Sequence, residues 1–552
     1  MAVMIEQDVA DYDTLARDYI LELKKGNIQQ WPESGFGDYY EPIIAQFERF
    51  ITEKHVPPEG MAKIITGDVR LKDLLADCEE ENSTPTSFVE LPERAKLDIH
   101  LARRSCRWLD KYEAFSKEAS PEGYEHFHVF CGIWLLSMVS ARRVYIQAKK
   151  MRFCGNLMLA MCADTTLFAK SSTARVATDL LQDAGLSFFL GPDRCTPQKL
   201  ISNMTGKRIP VDYNQLPDDK RAKVYNKIAM AGQRGLYLDE FGKFIQGTVR
   251  KNSTTSDFID LFLTLYNCQP EYSNETLQRG SDVIENPFLA LLGSMTYANL
   301  NQIAAPGADF WTDGFWARIG FIAAPPDQYI IHTADIEELP TPPELIMALR
   351  YWHERLGITP CEINEKPHAK TGEPTGEFTI ERGTLPQTRC TIDRDAEDAW
   401  KQYRIALKEM LPNFPHTDFH GSYGRLPDLA INMAILMASL ENNNHIELRH
   451  WARAQELAEI LRLNLHQLYD QVSSSNQESN GSKMDQEILQ EIKKYKKDFT
   501  LPVLINRRKK LKKYGIMEIS LRIDGMVKAG VITKITPKPP ETAIKYRLSQ
   551  GV

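Results

Sequence analysis

Between residues 156 and 181 the chain sets out three things in order. They are an apolar run, a loop of small and hydroxyl residues ending in Lys170-Ser171, and a helical pattern. An apolar stretch bounded by a turn and followed at once by a helix opens a strand–loop–helix unit, and repeated units of that kind build a sheet with helices packed on it. Further apolar runs follow near 234–238, 286–295 and 318–323, with helical patterns between them. The span 119–335 therefore predicts an α/β core.

With 552 residues the chain is long enough for three or four domains. Apolar residues at 43% exclude a wholly disordered chain. Residues 1–118 read as a helical region broken by Pro32, Pro57-Pro58, Pro85 and Pro92, with 94–115 its longest helical candidate. Residues 336–470 read as a helical lid, with helical patterns at 344–356, 394–411, 427–440 and 446–472. Residues 471–482 are polar and predict a flexible linker. No apolar run approaches the roughly 20 residues of a membrane span, and the acidic N-terminus is unlike a secretory signal, so a cytoplasmic protein without membrane contact is expected. Nine scattered cysteines without a CxxC pair predict reduced thiols and argue against zinc.

Charge divides the chain. From Lys483 onward there are 17 Lys and Arg against 7 Asp and Glu, although the whole chain carries a net charge of −7. Helical runs at 484–497, 501–513 and 517–529, then a strand pair at 531–535 and 543–548, predict a basic winged helix over 483–552. Arg507, Arg508, Lys509, Lys510, Lys512 and Lys513 lie on and after its second helix, and Arg522 and Lys528 on its third. A surface of this kind attracts DNA phosphates; the competing reading is a solvated face on a protein-contact module.

The candidate chemistry is concentrated in the core. In a phosphate-binding loop, backbone N–H groups and a helix N-terminus cradle phosphates, a lysine reaches the outer ones and a hydroxyl holds Mg2+. Asp164, Thr165, Thr166, Ala169, Lys170, Ser171 and Ser172 stand in that order, with Asp164 and Ala169 where the loop pattern has glycines. Ala169 can follow the tight turn if its φ is negative. The run ending in Asp239-Glu240 places one carboxylate for a metal and its neighbour as a base. Ser294, Thr296 and Asn299 follow the next run as sensors of a bound group, and Arg318 opens the last, where it could neutralise developing charge. Each also has a bland reading: a cap, a solvated turn or a structural ion pair.

Taken together, Trp108-Leu-Asp-Lys-Tyr112, Ser120-Pro-Glu122 with His126 and Phe127, Leu135-Leu-Ser137 with Arg142-Arg143, Asp164-Thr-Thr-Leu167 through Lys170-Ser-Ser-Thr173, Leu238-Asp-Glu240, Gly314-Phe-Trp-Ala-Arg318 and Tyr423-Gly-Arg-Leu-Pro427 resemble a family of P-loop ATPases. That family occurs in phage and mobile-element replication proteins, as a domain of unknown function related to primase-associated, D5-like helicases. The resemblance covers roughly residues 95–470. It implies an AAA+ or RecA-like core that binds ATP and Mg2+ at Lys170, Ser171, Asp239 and Glu240. It further implies arginine roles for Arg318 and Arg425, and a hexamer-like ring acting on DNA as a helicase. A scaffold or initiator with a decayed loop, and a defence-type ATPase acting on protein partners, are the alternatives.

Overall fold

The computed structural model describes residues 88–548 except 104, 165, 250–256, 277–279, 302, 305–307, 327, 333–337, 369–373, 415–416, 494–497, 502, 505–518, 521–522, 524–525, 528–531 and 536–543. They belong to one unit of the chain, 86–552.

The core is a four-stranded, all-parallel sheet of β1 (Met158–Cys162), β2 (Gln233–Leu238), β3 (Phe288–Met295) and β4 (Ile319–Ala323), in the order β2-β3-β1-β4. Every residue of β1, β3 and β4 is buried, as expected of parallel strands covered on both faces, which read as unbroken apolar runs. Leu190 forms one more parallel bridge, to Gly235 of β2.

Two helices close one face. They are α2 (Glu125–Ser140), in which every residue from Phe127 to Ser140 is buried, and α9 (Leu448–Lys493). Where α2 and α9 approach, the sheet carries glycine. A Cβ on Gly235 would meet Met138 of α2, and one on Gly320 would meet Leu461 of α9. On the opposite pleat face Gly293 leaves room for Phe241 of α4 (Phe241–Val249), whose Phe244 packs on Phe258 and Phe262 of α5 (Phe258–Tyr266). Helix α3 (Lys170–Asp183) follows β1 through the loop, and α1 (Arg107–Ala119) precedes α2. The single helix expected at 94–115 is broken: a short turn at Glu93–Ala95 and another at Ile99–Ala102 precede α1.

The helices expected as a separate lid are α6 (Pro343–Leu356), α7 (Arg394–Met410), α8 (His420–Glu441) and the first part of α9. These helices share one hydrophobic core with the sheet, with members from Leu91 to Val472. The reason is in α8, which is apolar nearly all round and buried from Leu429 to Ser439; such a helix needs neighbours on every side. Buried amides join it and α9 to the sheet region. Asn432 accepts from the Gly155 N–H at 3.1 Å and donates to the Asn156 carbonyl at 3.0 Å, and Asn464 accepts from the Ala323 N–H at 2.6 Å.

Across 471–482, expected as a flexible linker, α9 runs as continuous helix to Lys493. Polar residues do not by themselves end a helix, and the segment has no proline; its one Gly481 costs only about 1 kcal/mol. Beyond α9, Ile488, Ile492, Phe499, Leu504, Ile519, Ile523, Met526, Ile532 and Tyr546 form a second, smaller core. It includes an antiparallel pair, Ile532–Ile535 with Lys545–Leu548, and a bridge between Phe499 and Tyr546. Arg507, Arg508, Lys509, Lys510, Lys512, Lys513, Arg522 and Lys528 lie outside the described residues. No described helix is long and apolar enough to cross a membrane.

Candidate functional site

The topology creates one crevice. After β1 the chain leaves through α3 to Leu190 at the far edge, returns through β2 and β3, and then crosses β1 to reach β4. The connections after the neighbouring strands β1 and β3 therefore depart in opposite directions, and at such a switch point the carboxyl ends of strands open a cleft for a ligand. A cleft of about 520 Å3 lies there.

The sequence-predicted residues meet in it. Thr166, Ala169, Lys170, Ser171 and Ser172 line it from the loop and α3; Asp239 and Glu240 come from the end of β2, and Ser294, Thr296 and Asn299 from the end of β3. Asp164 contributes a carbonyl, and Thr165 lies outside the described residues. Although Ser171 and Asp239 are 68 positions apart, the Ser171 hydroxyl donates to Asp239 Oδ1 at 2.5 Å. The Tyr237 hydroxyl donates to the same oxygen at 2.7 Å and lies 3.2 Å from Ser294 Oγ. Burial raises the Tyr237 phenol pKa, so it remains a donor near neutral pH.

Lys170 Nζ donates to the carbonyls of Ala163 and Asp164, at 2.8 Å each. Burial lowers its pKa, with the carboxylates of Asp164 and Asp239 partly opposing that shift. Glu240 is exposed and paired with Lys243 at 3.0 Å. The Thr296 side chain accepts from the Asn299 N–H at 3.4 Å and so also caps the short helix Tyr297–Leu300.

The turn into α3 departs from the expectation of a negative φ. Ala169 has φ 39° and ψ 35°, in the left-handed region, and Thr166 has φ 67°. The loop keeps a glycine-type backbone at residues that disfavour it, and strain of this kind is found where a site over-determines the chain.

Sequence reasoning missed Glu122, Lys243 and Met295, which also line the cleft. Glu122 arrives from a distant loop because Ser120 Oγ lies 3.1 Å from Thr173 Oγ1 on α3. That contact had no local signal, whereas Lys243 follows Glu240 at helical spacing. Arg318 and Arg425 are not in the cleft. Arg318 stands before the first residue of β4, at the amino end of the sheet, about 16 Å from the carboxyl end at five residues of strand. Its guanidinium lies 5.9 Å from the Tyr266 ring, and its Nε has no hydrogen-bond partner among the described residues. Burial lowers its pKa, and Arg425 adds to the effect. Arg425 donates to Asp428 at 3.3 Å, and Arg404 lies 3.6 Å from the same carboxylate.

Chemically, a hydroxyl and a carboxylate in contact can share one divalent cation, while an ammonium resting on carbonyls can turn to an anion. Three carboxylates, Glu122, Asp239 and Glu240, face two lysines in the cleft. A polyphosphate would thus enter best with a cation of its own. No group of three His, Cys, Asp or Glu side chains with metal-binding spacing occurs among the described residues. No protein-family model and no curated protein matches the chain.

Proposed function

We propose that the chain is a P-loop ATPase that acts on DNA. The contact between Ser171 and Asp239 carries this reading, because it joins the residue after the loop lysine to the acid of the second strand at a topological switch point. Lys170 would meet the outer phosphates of ATP, and Ser171 with Asp239 would hold Mg2+, which supplies charge neutralisation on the phosphates. Glu240 is placed to polarise a water, and Ser294, fixed by Tyr237, to register the terminal phosphate. Arg318 and Arg425 lie outside their own cleft, and in this reading they would serve a neighbouring copy in a ring. The small C-terminal core, with its strand pair, supports a winged helix, whose basic residues Arg507 to Lys528, outside the described residues, would meet DNA.

One observation favours a second reading, a scaffold that binds nucleotide without turnover: Asp164 and Ala169 occupy the glycine positions of the loop, and Ala169 and Thr166 take left-handed backbone there. ATP hydrolysis measured with and without single-stranded DNA separates the two. The ATPase reading expects DNA-stimulated turnover that falls at least 100-fold in Lys170→Ala and Glu240→Gln, within the range of lost transition-state groups. Absence of turnover in the parent chain favours the scaffold, and turnover that survives both substitutions removes the site.

A further inference from the structure

A second polar pocket, of about 190 Å3, lies where the chain approaches the amino end of β2, away from the nucleotide cleft. It sits between two helices, Pro197–Met204 and Asp218–Ala229. Asn203, Arg208 and Lys227 provide its polar lining, and Pro210, Val224 and Ile228 its apolar walls.

The charge here is unbalanced. Residues 194–227 hold 8 Lys and Arg against 3 Asp, in the half of the chain that is otherwise acidic, and one of those acids, Asp218, is already paired with Arg221. The carbonyl end of the second helix attracts cations, but that demand is met from behind by Arg234. Buried at 3% exposure, Arg234 donates to the carbonyls of Lys227 at 3.0 Å, Met230 at 2.7 Å and Gln233 at 2.8 Å. No carboxylate pairs with it among the described residues, and burial pushes its pKa down to about 10. Arg208 and Lys227 are left with no ion pair or side-chain hydrogen bond among the described residues. Lys227 is held below its ordinary pKa by burial and then by the charges of Arg234 and Lys199. A guanidinium, an ammonium and an amide around a space of this size match a tetrahedral oxyanion, with the guanidinium suited to two of its oxygens.

We propose that the pocket lined by Asn203, Arg208 and Lys227 binds a phosphate group, supplied either by a nucleic-acid backbone or by a free phosphate compound. The apolar walls, beside Val211 at 76% exposure, would lie against whatever the phosphate carries. This site does not depend on the ATPase reading.

The test uses the full chain and the double variant Arg208→Ala/Lys227→Ala, in which both side chains are exposed and folding is not at stake. It is titrated with a labelled single-stranded oligonucleotide across salt concentrations and with inorganic pyrophosphate by calorimetry, alongside Lys170→Ala. Weaker oligonucleotide binding, with a salt slope smaller by about 0.7 for one lost phosphate contact, assigns the site to a nucleic-acid backbone. Unchanged oligonucleotide binding with pyrophosphate heat that persists in Lys170→Ala but is lost in the double variant assigns it to a free phosphate compound. If the double variant matches the parent in both titrations, the proposal is overturned. Unchanged oligonucleotide binding with heat lost only in Lys170→Ala locates pyrophosphate in the other cleft and likewise overturns it.

Discussion

At the scale of single residues, the informative side chains are those whose backbone disagrees with their chemistry. Ala169 takes a left-handed conformation at the start of α3, which costs an L-residue about 1–2 kcal/mol, whereas glycine there costs only about 0.5–1 kcal/mol in chain entropy. Ala169→Gly is accordingly expected to raise stability by roughly 0.5–1 kcal/mol, read as a higher denaturation midpoint, and to leave the Lys170 amine in place; a lower midpoint would mean the turn is not strained. The sequence revealed that glycines were replaced but not what the backbone would do, because φ at a single alanine is set by the strand and helix on either side. Lys170, Ser171, Asp239 and Glu240 were legible because they follow apolar strands, the first two through a short loop and the last two directly. Glu122 was not, since its place depends on a hydroxyl contact between its loop and α3, 53 positions apart.

At the scale of elements, the four core strands were readable as apolar runs and α6 and α7 as helical patterns within a few residues, whereas α8 starts earlier, at His420, and α9 extends far beyond 472, to Lys493. The pairs Glu271–Thr276 with Gly280–Glu285 and Cys361–Pro367 with Pro374–Arg382 went unread. Both are half-exposed ribbons rich in charge, so neither offers the apolar signal that marks a buried strand. How the helices attach was equally hidden, because asparagine in a sequence looks like a surface residue. Asn432 and Asn464 are instead buried at 3% and 1% exposure and hold backbone groups of the sheet region. Asn464→Leu strands the Ala323 N–H and is expected to cost about 1–3 kcal/mol, with Asn432→Leu costing more because two backbone groups lose their partner. Equilibrium unfolding would show this as lowered midpoints; a neutral Asn464→Leu would mean that water replaces the amide.

At the scale of the whole molecule, neutral histidines are built into the core. Burial pushes the pKa of His128 down to about 4, His450 to about 4 and His466 to about 3, and their exposures are 1%, 0% and 0%. Above the unfolded value near 6.5 both states are neutral and these groups are indifferent to pH. As pH falls below 6.5 the unfolded chain takes up protons first, so stability is lost progressively until the folded pKa values are reached. For His128 alone the loss is about 3 kcal/mol. Denaturant midpoints are expected to fall steadily from pH 6.5 toward pH 4.5, with a shallower fall in His128→Gln; a flat profile would mean that these rings are not buried as neutral groups.

The proposed nucleotide and metal site at the switch point is tested most directly by a titration of fluorescent ATP with and without Mg2+. The account expects binding that strengthens when Mg2+ is present, weakens at least tenfold in Lys170→Ala and in Asp239→Ala, and is unchanged in Arg208→Ala/Lys227→Ala. Binding indifferent to Mg2+ and to both cleft substitutions, or no binding at all, would contradict it.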